Sequence, residues 1–368
     1  MKGSGSKLTK KFSLGPVLLA IVLSCAGSTP AKDDNKDAKS SEKIERSTPV
    51  ASRASITLCV MSGKLVVRGW DKTEVRARSM DADILEFHRI DKVKDNSVPA
   101  SRIDVMVADN HSPKGDCQAL ADVEMDVPKD ATVQVQTRDG DIYITGVAGA
   151  YAGSQNGDIT IDRASQFVEA GSVGGSIFLK DSTGRINLSS AGGGVEVTNV
   201  RAVNSDDTVE VGTVSGDIRL ERVSNQKVLT KTVNGTVSMT GPLARAGYYG
   251  FTTMGGDVVL MIPHDSSFTL NAKVSETDDI ISEFALKYAP EAPPAVPTPK
   301  PKAMPEPPAK APAAKGKPKY DGPVIAPIVV VKPNVIINPF KRVTATYGSG
   351  DATISLSSFG GTLRLKKI

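Results

Sequence analysis

The residues with the clearest potential for chemistry are five aspartates, each directly after a glycine. They are Asp141, Asp158, Asp217, Asp257 and Asp351. Stacked carboxylates of this kind bind calcium in solenoids built from Gly-Gly-x-Gly-x-Asp nonapeptides. Here the repeat is about twice as long, and Ser176, Val195 and Thr236 stand at equivalent positions. We therefore expect these aspartates to cap turns through hydrogen bonds to nearby backbone rather than to hold a metal.

Other catalytic patterns are missing from the sequence. The three histidines, His88, His111 and His264, are widely separated and show no ligand spacing. There is no nucleophile elbow, no phosphate-binding glycine loop and no paired-cysteine motif. A polysaccharide-acting β-helix enzyme, a minor alternative, would need an Asp cluster beside an Arg or Lys base, which adjacent repeats do not offer. We therefore predict a protein that is not an enzyme and that needs no cofactor.

The aspartates belong to a repeat that positions them. The pattern Gly-Asp-Ile-x-Ile, or a variant of it, starts at Gly140, Gly157, Gly175, Gly194, Gly216, Gly235 and Gly256. Glycine would supply the positive φ of a tight corner, and the two apolar residues would both point inward. Because one unit cannot bury its own apolar pair, neighbouring units must stack.

This repeat predicts an all-β fold, a parallel β-solenoid of about 19 residues per coil with a strand-rich N-terminal cap. The dipeptides Asn156-Gly157 and Asn234-Gly235 are typical of hairpin turns. They leave an antiparallel β-meander or sandwich as the alternative.

The outward-facing residues of the repeats are the candidate binding face. They run Tyr143, Thr160, Phe178, Glu196, Arg219, Ser238 and Val259. Mixed chemistry of this kind is typical of a solvated face. A ligand platform, if this row holds one, would centre on Tyr143 and Phe178, with Arg219 further along.

Composition divides the rest of the chain. We expect a β cap over 54–128, solenoid repeats over 129–286, a Pro/Lys-rich insertion over 287–340, and a returning coil over 341–368. The stretch 289–339 holds 15 of the 23 prolines. That composition is typical of polyproline II and favours a solvated, largely disordered spacer over a partner-docking arm.

The N-terminus has the parts of an export signal. Lysines precede a short apolar run, Leu14 to Leu23, which is too short for a membrane span. The run ends in Ser24-Cys25, which is similar to a lipoprotein cleavage box, so residues 1–25 are predicted to be a signal peptide with Cys25 lipidated. Ordinary cleavage after Ala26 is the alternative. The charged residues 26–53 are predicted to be a disordered tether.

Two further cysteines, Cys59 and Cys117, agree with export. In an oxidising compartment they could form one disulfide, although two buried free thiols fit equally well. The charge balance of 45 basic and 41 acidic residues, a net of +4, is too mild to indicate nucleic-acid binding.

The repeats, the entry strand Gly63 to Asp71 and the closing Gly360-Gly361-Thr362-Leu363 together resemble a bacterial putative-adhesin family. This family is also described as a β-strand repeat domain of unknown function. The resemblance covers roughly 54–286 and 341–368. It implies a β-solenoid, an envelope location and an adhesive role, and it supplies no catalytic residues.

The leading functional hypothesis is a non-catalytic, exported cell-envelope protein, an adhesin or binding scaffold. The alternative is a purely structural envelope component whose Pro-rich arm engages the cell wall or a partner. Expected locations are the periplasm, outer membrane or cell surface, with an N-terminal lipid as the membrane tether. Expected partners are a cell-surface polysaccharide, the cell wall or a protein, and not nucleic acid.

Overall fold

A computed structural model describes residues 43–93, 97–108, 117–275, 277–289 and 340–368, all within one compact unit, Ser41–Ile368. All regular secondary structure in these ranges consists of β-strands. Among the described residues, no helix is long and apolar enough to cross a membrane. The predictions for the signal peptide, for Cys25 and for most of the Pro-rich insertion fall outside the described residues.

The first strands build the N-terminal end of the stack. They are β1 Ile44–Ser62, β2 Leu65–Trp70, β3 Glu74–Ser79, β4 Ile84–Arg89, β5 Ala100–Ala108, β6 Val123–Pro128 and β7 Thr132–Asp139. β1 begins inside the stretch predicted to be a tether. This prediction was wrong over 44–53, because these residues belong to β1, in which 44–49 pair antiparallel with β3 and Val50 pairs with Ala100 of β5.

Short strands of two to eight residues make up the remaining coils. They are β8 Ile142–Thr145, β9 Gly149–Ser154, β10 Ile159–Asp162, β11 Phe167–Ser172, β12 Ile177–Lys180, β13 Arg185–Ser190, β14 Val195–Val200, β15 Thr208–Thr213, β16 Ile218–Val223, β17 Lys227–Lys231, β18 Val237–Thr240, β19 Tyr248–Thr253, β20 Val258–Ile262, β21 Phe268–Ser275, β22 Ile280–Ser282, β23 Lys287–Tyr288, β24 Phe340–Tyr347, β25 Ala352–Ser358 and β26 Leu363–Lys367.

Each coil contributes one strand to each of two facing sheets. Sheet A runs β3, β6, β2, β8, β10, β12, β14, β16, β18, β20, β26, β22. Sheet B runs β4, β5, β1, β7, β9, β11, β13, β15, β17, β19, β25, β21, β24, β23. Antiparallel pairs occur, among the described strands, at the two ends of the stack. The predicted parallel β-solenoid is confirmed.

The core is a narrow, mostly aliphatic layer between the sheets. The apolar pairs of sheet A, such as Ile159 and Ile161, are fully buried, and they face smaller residues of sheet B such as Val168 and Ala170. Each large buried side chain contributes about 1.5–3 kcal/mol.

The corner glycines have a different role from the predicted one. Gly157 and its equivalents do not adopt the positive φ expected of them; instead, a Cβ on Gly157 would lie 1.8 Å from the carbonyl oxygen of Gly140. The same clash, at 2.0–2.3 Å, recurs at Gly140, Gly175, Gly193, Gly216, Gly235, Gly256 and Gly361. Glycine is therefore required because successive backbones approach closely.

The strand register also corrects the alignment of one repeat, the one that contains Val195. Val195 pairs with Ile177 and with Ile218, so Val195 is an inward residue. The corner glycine of this coil is Gly193. Gly194, and not Val195, takes the place of the corner aspartate, because pairing between strands sets the register.

The last coil of the chain is not the last coil of the stack. β25 and β26 lie between the coil β19–β20 and the coil β21–β22, which follow each other in sequence. The N-terminal end is built in the same way, with β1 and β2 between the pair β5–β6 and the pair β7–β8. Both ends of the described chain are thus held by neighbours on two sides.

Candidate binding groove

The corner aspartates act as caps between coils. The Oδ1 atom of Asp141 accepts a hydrogen bond of 2.9 Å from the backbone N–H of Asp158, and Asp158 accepts one of 2.7 Å from Ser176. Asp217 and Asp257 repeat this contact one coil further on. Asp351 differs, because its carboxylate accepts a bond from the Ser349 hydroxyl. No group of three or more His, Cys, Asp or Glu in the described ranges could hold a metal ion.

Cys59 and Cys117 are joined by a disulfide, with their Cα atoms 4.8 Å apart. Cys59 lies in β1, and Cys117 lies in the connection between β5 and β6. The bond closes a loop with a sequence separation of 58 residues. On loop-entropy grounds such a link stabilises the fold by about 4 kcal/mol, and it ties the entry strand to the N-terminal end of the stack.

The predicted platform residues lie in one outward row of sheet A. Tyr143, Phe178 and Arg219 are each separated by one intervening strand, which carries Thr160 or Glu196. At about 4.8 Å per strand, Phe178 is about 10 Å from each of the other two, and Tyr143 and Arg219 are about 19 Å apart. They form a line of separated side chains rather than a cluster.

Within that row, Tyr143 is the most enclosed of the three. Its ring lies under the Lys64 ammonium, which is 4.8 Å from the ring centroid. Burial, together with the negative charges of Asp141 and Asp158, raises the pKa of the Tyr143 hydroxyl. Phe178 is 40% exposed, and Arg219 is exposed as well.

The concave surface is on the opposite sheet. Three adjoining cavities of about 340, 430 and 320 Å³ lie along the outer face of sheet B. They share Asn187, and they follow the stacking direction across several strands. We call this surface the sheet B groove; its floor is Gly153, Gly171, Ser189 and Gly212, and its wall is Tyr151, Glu169, Asn187 and Glu210.

Strand register brings these residues together. The floor residues pair in direct succession across β9, β11, β13 and β15, and so do the wall residues. Gln134 and Gln136 of β7 extend the wall and the floor by one strand. Floor and wall alternate with inward residues along each strand, as the period of two requires.

Packing does not require glycine on the groove floor. A Cβ on Gly171 would meet the Ser189 hydroxyl at 3.5 Å and the Ser189 carbonyl oxygen at 3.8 Å, which are ordinary contacts, and one on Gly153 would meet only the Gln136 side chain, at 3.8 Å. None of the floor glycines adopts a left-handed backbone. Glycine within a strand costs about 0.5–1 kcal/mol relative to alanine. The floor glycines, despite this cost, together leave an open trough.

Aromatic rings border the groove. The rings of Tyr151 and Phe167 are tilted against each other with centroids 5.0 Å apart. Gly149 leaves room for the Phe167 ring, because a Cβ there would lie 2.4 Å from it. Tyr248, which is 41% exposed, borders the far end.

The polar side chains of the wall are free to bind a ligand. Glu169, Asn187 and Glu210 are exposed. Within the described part of the chain, the side chains of these residues form no hydrogen bond or ion pair. Arg185 lies in β13, the strand between the strands of the two glutamates, and it belongs to the outward row next to the wall. The groove therefore offers unused donors, acceptors and two carboxylates beside aromatic rings.

Sequence reasoning missed this groove because it followed the Gly-Asp-Ile motif, which lies in sheet A. A second signal was present. A small residue precedes a serine or threonine at Gly153-Ser154, Gly171-Ser172, Ser189-Ser190 and Gly212-Thr213, with the same period as the motif. This dipeptide marks the end of each sheet B strand, and its first residue forms the groove floor.

The fold is a two-sheeted parallel β-solenoid with a groove along the outer face of sheet B. Residues 114–290, slightly less than half of the chain, match the family model described as Toastrack DUF4097. No curated protein matches the sequence.

Three solved structures are distantly similar. A putative adhesin from Parabacteroides merdae has 10% identity and a TM-score of 0.39, and one from Parabacteroides distasonis has 13% and 0.32. Each alignment covers 60% of this chain and 90% of the other. A putative cell adhesion protein from Clostridium sporogenes has 9% identity and a TM-score of 0.19, covering 89% and 100%. Likeness at this level carries no information on ligands.

Proposed function

We propose that this protein is a non-catalytic, exported cell-envelope protein, an adhesin-like scaffold that binds through the sheet B groove. The observation that carries the proposal is the groove floor, where glycines that packing does not require keep a trough open. The exposed, unpaired side chains of the wall are the groups that would contact a ligand. On this proposal, sheet B replaces the row of Tyr143, Phe178 and Arg219 as the binding face.

Export and anchoring belong to the same proposal. The disulfide between Cys59 and Cys117 supports an oxidising compartment. A lipid on Cys25 would hold the solenoid at a membrane surface, with the groove open to other envelope components. Cell fractionation of Cys25→Ser tests this, because membrane partitioning that survives the change would rule out lipidation.

The alternative role, a structural component with a Pro-rich arm, also has an observation in its favour. The chain leaves sheet B at Ala289, whose N–H bonds to Thr344, and it returns at Phe340, which pairs with Ser275. Both ends of the insertion are thus fixed to the same end of the stack. Deleting 290–339 distinguishes the two roles, because unchanged envelope retention of the deletion variant would contradict the arm hypothesis.

A matched pair of variants tests the binding face. Gly171→Trp places a large ring in the groove, where the structure has open space, and Thr160→Trp places the same ring on the outer face of sheet A. We expect Gly171→Trp to abolish binding to envelope preparations and Thr160→Trp to leave it intact. The reverse result would return the binding face to the Tyr143–Phe178 row.

A further inference from the structure

We infer that the ligand of the sheet B groove is an unbranched, neutral glycan that lies along the stacking direction. This inference rests on the proposed function and names the ligand class for the same site. Shape, the state of the backbone, side-chain chemistry and charge each contribute to it.

The shape of the groove selects a long, narrow ligand. From Gln136 in β7 to Gly212 in β15 the floor crosses five adjacent strands, which is about 19 Å at the spacing of strands in a sheet. A further cavity continues the surface to Tyr248 and Ser355. A groove of this length suits a linear polymer better than a compact small molecule.

The strands under the groove already use their backbone hydrogen-bonding groups in strand pairing. β9, β11, β13 and β15 each pair with a neighbour on both sides. An extended peptide binds a sheet by adding to a free edge, where unpaired backbone groups give the affinity. The groove crosses the face of the sheet and offers no such edge, so recognition must come from side chains.

Those side chains suit sugar rings. The Tyr151 and Phe167 rings offer an apolar surface on which the C–H face of a sugar can stack. Gln134, Gln136 and Asn187 can both donate to and accept from hydroxyl groups. The carboxylates of Glu169 and Glu210 are strong acceptors for hydroxyl donors. Aromatic, amide and carboxylate groups thus alternate along one line, as a chain of hydroxyl-bearing rings would require.

The charge of the groove favours a neutral glycan. The charged groups bordering the three cavities are Glu169, Glu210, Arg185 and Lys231, so the groove has no net charge that would attract an acidic polymer. An acidic polysaccharide would bring its carboxylates close to two glutamates that have no partner in the described structure. Like charges at short range disfavour that contact.

The test uses the full chain carrying Cys25→Ser, which keeps it soluble, and envelope preparations of the organism that makes it. The preparations are treated either with periodate, which oxidises sugar diols, or with a broad protease. We expect periodate to abolish the binding that Gly171→Trp also abolishes, and protease to leave it unchanged. Tyr151→Ala, at an exposed position, should weaken binding about tenfold, equivalent to about 1.4 kcal/mol.

Charge selection is tested on polysaccharide released from the same preparations and separated by anion exchange. Binding is expected in the neutral fraction. The double variant Glu169→Gln with Glu210→Gln should bind the acidic fraction better than the wild-type chain does. Equal binding of both fractions by the wild-type chain would overturn the assignment of a neutral ligand.

The possible failures are distinct. Groove-dependent binding that protease removes and periodate does not would overturn the glycan assignment in favour of a protein partner, while the proposed function stands. Concentration-dependent self-association blocked by Gly171→Trp would assign the groove to a second copy of the chain. No binding to any envelope preparation would overturn the proposed function together with this inference.

Discussion

The hydroxyl of Ser172 donates a hydrogen bond of 3.1 Å to the carbonyl oxygen of Gly157, one coil earlier in the stack. The Ser172 hydroxyl oxygen in turn accepts a bond of 2.9 Å from the N–H of Gly175. Equivalent pairs are Ser154 with Gly140, Ser190 with Gly175, Thr213 with Gly193, Thr232 with Gly216 and Thr253 with Gly235. These buried hydroxyls form a ladder that connects each coil to the previous one.

Replacing Ser172 by alanine should therefore destabilise the solenoid. The change leaves the Gly157 carbonyl and the Gly175 N–H buried without a partner, which costs about 1–3 kcal/mol. Chemical denaturation measures the loss. Ser172→Thr is the matched control, because threonine already fills this position in other coils, and equal losses in both variants would contradict the ladder.

Two glycines of the same coil, 14 residues apart, should respond in opposite ways to alanine. Gly157→Ala forces a Cβ into the backbone of Gly140, so we expect a loss of several kcal/mol in the free energy of unfolding. Gly171→Ala meets only ordinary contacts, so we expect no loss or a gain of about 0.5–1 kcal/mol.

The free energy of unfolding of both glycine variants can be measured in the same denaturant series. A large loss in Gly171→Ala would mean that the groove floor has a packing role. That result would remove the main support for the groove as a binding site.

The position of the last coil predicts complementation. A chain ending at Ala289 lacks β24, β25 and β26, so β19 and β20 each lose one of their two strand partners, while β21 and β22 lose all of theirs. We expect a lower melting temperature for this truncated chain. A peptide of residues 340–368 should restore it in a concentration-dependent way, because the peptide binds the folded state.

The control for complementation is a peptide of the same composition in scrambled order. An unchanged melting temperature in the truncated chain would show that the coils on either side close up on each other without the insert. Recovery with the scrambled peptide would show that the effect does not depend on sequence.

Asp91 should make the β4–β5 end sensitive to acid. Hydrogen bonds from the Arg89 guanidinium, and then from Ser101, hold the pKa of the Asp91 carboxyl well below its usual range, although burial opposes them. Since the folded-state pKa is depressed, this stabilisation is present above the unfolded pKa of about 3.9 and is lost as the pH falls towards the folded value. The hydrogen-exchange protection factors of β4 and β5 should therefore fall below about pH 4.

Asp91→Asn is the matched variant for the acid response. It lacks the titrating group, so the protection factors in β4 and β5 should already be lower at pH 7 and should change less on acidification. If the wild-type and variant chains show the same pH profile, Asp91 does not control the stability of this end.

Much of the architecture could be predicted from the sequence because it depends on local periodicity. Two apolar residues around a variable one, as in Ile159-Thr160-Ile161, place both side chains inward in any strand. A repeat with a constant period then predicts stacking, and the parallel solenoid follows. The corner aspartates could likewise be read as turn residues, since Asp side chains bond readily to nearby backbone.

What the tertiary structure decided depends on contacts between coils. The sequence alone does not show whether glycine is needed at 157 for a positive φ or for close approach of two backbones. The structure shows the second reason, because the backbone of Gly140 lies against Gly157. The insertion of β25 and β26 between two consecutive coils could not be predicted, because every coil presents similar edges to its neighbours.

The groove has the same origin. Tyr151, Glu169 and Asn187 are 18 residues apart in sequence, and they become one wall only when strand pairing sets their register. The sequence by itself determined the coil, through alternation and period. The tertiary structure decided which face of the stacked coils is concave, because concavity depends on which side chains the neighbouring coils place side by side.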